Sequence, residues 1–171
     1  RPAERAGEQG EVVLFATCYG NFNNPEVPKA AVHVLEHVGY RVHLVEETCC
    51  GMPNLDGGDV DGFVGKVHRN VAALLPHVRD GRMVLVPSPT CGYTMKREWA
   101  EYVPEPEVRE VAQATRDLME FLEELRKQNA VPPANQSLGK VAYHAACHLR
   151  AQKIGFPGMR LLAKLAPDTE L

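Results

Sequence analysis

Along this chain the spacing of apolar residues switches between short unbroken runs and helical periodicity. Residues 11–17 (EVVLFAT) are an apolar run closed by Cys18-Tyr19-Gly20-Asn21, the pattern of a buried strand. Asn24-Pro25 then supplies a helix start, with Asn24 as the cap and Pro25 at the first position. Val27, Ala31, Val34, Leu35 and Val38 recur at helical spacing until Gly39 closes the helix. Residues 41–46 (RVHLVE) give a second strand, which runs into Thr48-Cys49-Cys50-Gly51-Met52-Pro53, where Gly and Pro forbid regular structure. Val60, Phe63, Val64, Val67, Val71, Leu74 and Leu75 mark a second amphipathic helix, ended or kinked near Pro76. Residues 82–86 (RMVLV) are a third strand, stopped by Pro87-Ser88-Pro89-Thr90-Cys91-Gly92. A charge-rich helical region spans 94–127 with a break at Pro104-Glu105-Pro106, and its charges read as a solvated face. Residues 129–138 (NAVPPANQSL) have linker composition. A fourth strand at 139–145 (GKVAYHA) leads to Cys147, and Pro157 opens a last helix carrying Leu161, Leu162 and Leu165.

Strand thus alternates with helix throughout. That order predicts an α/β fold: an open, largely parallel sheet with flanking helices and right-handed crossovers. With 171 residues, 44% of them apolar and 24% charged, the chain buries an ordinary core without help from disulfides. Its net charge of −3 removes the electrostatic footprint of a nucleic-acid binder. No apolar run approaches the roughly 20 residues of a membrane span, and no stretch reads as a signal peptide. A cytoplasmic protein is the expectation. The chain opens on Arg1 rather than Met, as a piece of a longer protein would.

Cysteine changes the picture. There are five: Cys18, Cys49, Cys50, Cys91 and Cys147. An odd number with one adjacent pair is unlike a secreted disulfide scaffold, and neighbouring cysteines seldom bridge because the ring they close is strained. Each falls just beyond the C-terminal end of an expected strand. In an open parallel sheet those ends share one edge, the edge at which ligands bind. Topology alone therefore gathers thiols that are distant in sequence. Gathered thiolates on Gly- and Pro-punctuated loops suit a soft metal or an iron–sulfur cluster. Adjacent ligands cannot both reach one ion comfortably but can hold different irons, which favours a cluster over a lone zinc. The competing reading is that free cysteine is a common small core residue.

The words around these cysteines resemble a known family. Thr17-Cys18-Tyr19-Gly20-Asn21, Cys49-Cys50-Gly51-Met52-Pro53 and Ser88-Pro89-Thr90-Cys91-Gly92-Tyr93 are similar to the cysteine-rich CCG domain. That domain occurs in one of the subunits of heterodisulfide reductase, in iron–sulfur subunits of glycolate and lactate oxidases, and in one of the subunits of anaerobic glycerol-3-phosphate dehydrogenase. Tyr143-His144-Ala145-Ala146-Cys147-His148 resembles the opening of a second copy, and residues 12–18 and 141–147 are both apolar runs that end on a cysteine. The resemblance implies a first CCG domain over 11–128, a linker over 129–138 and the start of a truncated second copy over 139–171. It also implies Cys18, Cys49, Cys50 and Cys91 as metal ligands, with Cys147 either joining them or serving the second site. The family pattern ends in Cys-x-x-Cys, whereas Cys91 is followed at that spacing by Thr94, which leaves a 4Fe-4S or a noncubane cluster open. A ferredoxin-like Cys-x-x-Cys-x-x-Cys segment is absent from these residues.

By the same resemblance the chain is an electron-transfer module of an oxidoreductase complex, without a catalytic residue of its own. It would relay electrons between a flavin-containing dehydrogenase subunit and a quinone or disulfide acceptor, beside a ferredoxin-like segment or subunit. A quinone-linked complex would bring it to the inner face of the cell membrane. A zinc-binding structural domain and a metal-free assembly domain are the alternatives, since four thiolates suit zinc equally in number. His144 and His148 flank Cys147 as possible extra ligands or as ordinary polar residues at a strand end. His33, His37, His43, His68 and His77 read as solvent-facing. Lys96 and Arg97 follow the Cys91 loop at a helix start, as surface charge or as neutralising groups for a bound anion.

Overall fold

The computed structural model describes residues 6–132 and 137–170. Its contacts divide the chain into two units, Arg1–Asp117 and Leu118–Leu171. The break falls before the linker expected at 129–138, of which residues 133–136 lie outside the described residues.

The first unit is built on four strands: β1 Gly10–Leu14, β2 Tyr40–Leu44, β3 Met83–Val86 and β4 Thr115–Asp117. They form one parallel sheet in the order β2-β1-β3-β4. In β1, Val12, Val13 and Leu14 are fully buried, as a central strand of a covered parallel sheet demands. Each such side chain contributes about 1.5–3 kcal/mol of burial. Helices α1 (Cys18–Phe22) and α2 (Glu26–His37) join β1 to β2. Helices α3 (Met52–Asp56) and α4 (Val60–Arg79) join β2 to β3. From Pro89 the chain is helical without interruption to Tyr102: α5 (Pro89–Tyr93), one π-helical turn (Thr94–Glu98) and α6 (Trp99–Tyr102). Helix α7 (Pro106–Ala114) leads into β4. The core runs from Val13 and Phe15 through Phe63, Val67 and Leu74 of α4 to Trp99, Val108 and Val111.

The expected fold class holds, and four local readings are corrected. Helix α2 is capped at Pro25, not Asn24. Helix α4 passes through Pro76 to Arg79, because a proline so near the C-terminus removes only one intrahelical bond. Lys96 and Arg97 lie inside the π turn rather than at a helix start.

The largest change concerns the fourth strand, which is residues 115–117 within the region read as helical. Thr115 ends α7 with its hydroxyl donated to the Val111 carbonyl at 2.8 Å, and the chain turns extended to pair Val84–Val86. Residues 139–145, expected as a strand that leads to Cys147, find only an isolated bridge, Lys140 with Glu170. An apolar run without a neighbouring strand to pair does not make a sheet.

In the second unit, α8 (Leu118–Lys127) packs along α10 (Pro157–Leu165), with α9 (Cys147–Ala151) between them in sequence. Among the described residues no helix is long and apolar enough to cross a membrane.

Glu123 of α8 is only 3% exposed. Its carboxylate accepts from Arg126 at 2.7 and 3.0 Å and lies 3.6 Å from Arg160. The Arg126 bond holds this carboxyl below the ordinary range despite burial. A carboxyl with a lowered folded-state pKa stabilises the fold above its unfolded pKa, and that contribution disappears as pH falls through the folded value. Glu123→Gln is expected to lower unfolding free energy by about 1–2 kcal/mol at pH 7. In urea titrations of both proteins the difference should close below about pH 4.

Candidate functional site

Parallel topology sends the loops after β1, β2 and β3 to one sheet edge. Cys18 lies four positions beyond Leu14, while Cys49 and Cys91 lie five beyond Leu44 and Val86. Cys18 and Cys49 are half-buried, and Cys50 and Cys91 are buried. Their thiols influence one another's ionisation as neighbours in a row: Cys18 with Cys49, Cys49 with Cys50, and Cys50 with Cys91. Parallel topology thus brings the loops that carry the four cysteines to one sheet edge.

Local sequence explains why the loops take these shapes. Gly51 has φ of +97°, a left-handed conformation that side chains resist. A Cβ built there would stand 2.6 Å from Phe63 Cδ2, so the close approach of α4 also excludes one. Thr17 has φ of +73°, an outlier for a β-branched residue. It is held there from both sides: its N–H donates to Glu47 Oε1 at 2.9 Å and its hydroxyl accepts from Gly20 N–H at 3.0 Å. Glu47 also accepts from Asn21 Nδ2 at 3.2 Å, which ties the Cys18 loop to the loop that carries Cys49. Burial pushes the Glu47 carboxyl up to about 7, against those donors.

Two fully buried side chains hold the cysteine pair. Trp99 Nε1 donates to the Cys50 carbonyl at 2.8 Å, and the Asn70 carboxamide bonds the Thr48 N–H and the Cys49 carbonyl. Neither was visible as a site residue in the sequence. The one signal was a polar residue, Asn70, at a register position of α4 that otherwise reads apolar.

Burial, and then the neighbouring Cys49 thiol, raise the Cys18 thiol above its ordinary value. The Cys50 thiol, together with burial, pushes Cys49 up further. For Cys50, the Cys49 thiol favours the thiolate, but the Cys91 thiol and burial outweigh it and push Cys50 up to about 12. Cys91 is held below the ordinary thiol value by the Cys50 thiol despite its burial, and the Ser88 hydroxyl adds to this.

This all-sulfur donor set fits a soft centre. Among the described residues no three His, Cys, Asp or Glu converge as ligands of one metal ion. Four thiols that include an adjacent pair fit a polynuclear cluster better than a lone ion, because neighbours in sequence can hold different irons. Thr94, three positions after Cys91, is fully buried in the π turn, and its hydroxyl donates to Met52 Sδ at 3.4 Å. Such π turns recur at functional sites. In the same turn Glu98 Oε2 is buried without a hydrogen-bond partner.

Cys147 belongs to the second unit, exposed at the first residue of α9, and the strand expected to deliver it is absent there. His144 is exposed and His148 half-buried. Of the histidines expected in solvent, His33, His37 and His68 are exposed. His43 and His77 are half-buried, His43 on the Glu11 carboxylate at 2.9 Å and His77 on Arg82 at 3.2 Å.

Gly51→Ala combines left-handed strain with overlap onto Phe63. Its expected cost is about 2–4 kcal/mol of unfolding free energy, measured by urea denaturation.

Residues 12–96 match the CCG cysteine-rich domain. Lactate utilization protein A of Geobacillus kaustophilus (strain HTA426) is 31% identical over 150 residues, 81% of this chain and 58% of that protein. One of the subunits of anaerobic glycerol-3-phosphate dehydrogenase from Escherichia coli (strain K12) is 29% identical over 179 residues, 99% of this chain and 43% of that protein. One of the subunits of fumarate reductase (CoM/CoB) from Methanothermobacter marburgensis is 28% identical over 151 residues, 87% of this chain and 28% of that protein. No solved structure matches. The chain spans about half the length of the curated relatives it matches first. Through residues 12–96, with their three cysteine-bearing loops at one sheet edge, the chain belongs to the cysteine-rich CCG family.

Proposed function

We propose that the first unit holds an iron–sulfur cluster on Cys18, Cys49, Cys50 and Cys91 and serves as an electron-transfer module of an oxidoreductase complex. The observation that carries this reading is that Cys18, Cys49, Cys50 and Cys91 all follow strands of one parallel sheet at its C-terminal edge, with Cys50 and Cys91 buried. When bound, the cluster supplies one-electron redox chemistry. The chain's own residues place the sulfurs and shield Cys50 and Cys91 from water.

The matched proteins include subunits named for glycerol-3-phosphate dehydrogenase and fumarate reductase, and this supports a redox partner of the dehydrogenase type. In our reading a flavin-containing dehydrogenase subunit delivers electrons, a ferredoxin-like segment or subunit relays them, and a quinone or disulfide accepts them. A quinone acceptor would place the complex at the inner face of the cell membrane.

Residues 139–171 are read as the opening of a second copy. Helix α9 starts on Cys147 as α1 starts on Cys18, each five residues long. A proline-led helix follows both, Pro25 capping α2 and Pro157 opening α10. Cys147 is then a ligand of that second site.

Anaerobically reconstituted protein is expected to contain about four irons and as many acid-labile sulfides per chain. An electron paramagnetic resonance signal should appear or vanish on reduction. Cys50→Ser should lose most of the iron while keeping the fold. About one zinc without sulfide would replace this reading by a structural metal domain, and a folded protein that takes up no metal would leave an assembly role.

A further inference from the structure

Helix α4 presents Phe63, Val67, Val71 and Leu74 to the core, and on the same face stands Asn70, fully buried. A carboxamide in an apolar face is unfavourable unless its polar atoms are satisfied. Here each end bonds one of two adjacent residues. Oδ1 accepts the Thr48 N–H at 2.8 Å and Nδ2 donates to the Cys49 carbonyl at 3.1 Å. The orientation of the amide is fixed by its partners, because one requires an acceptor and the other a donor.

These two bonds hold the peptide planes on either side of the Thr48–Cys49 step. Trp99 Nε1 holds the next carbonyl, that of Cys50, at 2.8 Å. Cys50 is therefore fixed between Asn70 and Trp99, and Cys49 between the peptide groups that Asn70 grips. The outcome is unusual for adjacent residues, which point to opposite sides of an extended chain. Cys49 and Cys50 nonetheless follow one strand to the same sheet edge, Cys49 half-buried and Cys50 buried.

We propose that Asn70 is a positioning residue for Cys49: its carboxamide grips the Thr48 N–H and the Cys49 carbonyl so that the Cys49 thiol is held in the row beside Cys18 and Cys50. Asp at this place would accept but not donate, and Leu would do neither. The consequence for a bound cluster rests on the reading above. The placement of the thiol does not.

The test uses the full chain, reduced and metal-free, labelled with iodoacetamide to less than one label per molecule. The thiolate displaces iodide, a carbon–sulfur bond forms, and mass spectrometry assigns each label to its cysteine. Exposed Cys147 in the other unit is the internal reference. In Asn70→Leu the Cys49-to-Cys147 labelling ratio should rise about tenfold, the factor that losing one bond of ordinary net strength gives. Asn70→Asp keeps the Thr48 bond, loses the Cys49 bond and should show a similar rise, so it decides the matter if the Leu variant does not fold. Val71→Ala, a core truncation one residue away, should lower the melting temperature while leaving the ratio within about twofold. An unchanged ratio in the Asn70 variants, or an equal rise in Val71→Ala, overturns the proposal.

Protein loaded with iron and sulfide adds a second readout. Release of iron to a chelator should quicken in both Asn70 variants by a similar factor and not in Val71→Ala. Wild-type protein that takes up no iron while Asn70 variants still expose Cys49 would sink the cluster reading and leave the positioning role standing.

Discussion

Two adjacent residues cannot present their side chains to one point while the chain stays extended, and the site depends on how this protein escapes that constraint. The chain leaves β2, reaches Cys49-Cys50 and turns through the left-handed conformation of Gly51. No side chain fits there, because Phe63 of α4 lies where a Cβ would be. Helix α4 thus both demands the glycine and braces the loop. A ring, a carboxamide and an indole from two different helices do the holding, and all three are fully buried. The redox chemistry is assigned to the loop, but the rigidity belongs to the core beneath it.

Parallel topology supplies the other half of the arrangement. Because β1 lies between β2 and β3, the loops after these three strands are neighbours at one edge. The strain visible at Thr17 is local to that edge and is opposed by bonds from Glu47 and Gly20. Glu47 sits two residues before the cysteine pair and reaches the residue before Cys18, so the first two loops are joined by a short polar link. The third loop is joined through Trp99, which is carried on the helical stretch that contains Cys91 and donates to the Cys50 carbonyl. The second loop is therefore fastened to both of the others.

Much of this could be read from the chain alone. Three apolar runs ending before cysteines gave the first three strands, their parallel arrangement and the placing of the cysteine-bearing loops at one sheet edge. Such signals are local and periodic. The fourth strand was not recoverable in that way, since Thr115-Arg116-Asp117 is short and polar and owes its state to the free edge of β3. Residues 139–145 erred in the opposite direction, with an apolar run and no strand to pair. Asn70 and Trp99 were missed because their roles lie in backbone bonds made across 21 and 49 residues of sequence, which no periodicity encodes. Gly51 stood out as part of a motif, yet the reason for it, the ring of Phe63, appears only in three dimensions.

Trp99 is the single tryptophan of the chain. Its indole is fully buried, and its only N–H is bonded to the carbonyl of a cysteine in the thiol row. Indole emission from this protein therefore comes from one place, directly under the candidate site, with no second indole to dilute it. The fold has built an optical sensor into the floor of its thiol row: loading, loss or local loosening of that loop will be reported by a colour and an intensity without any label.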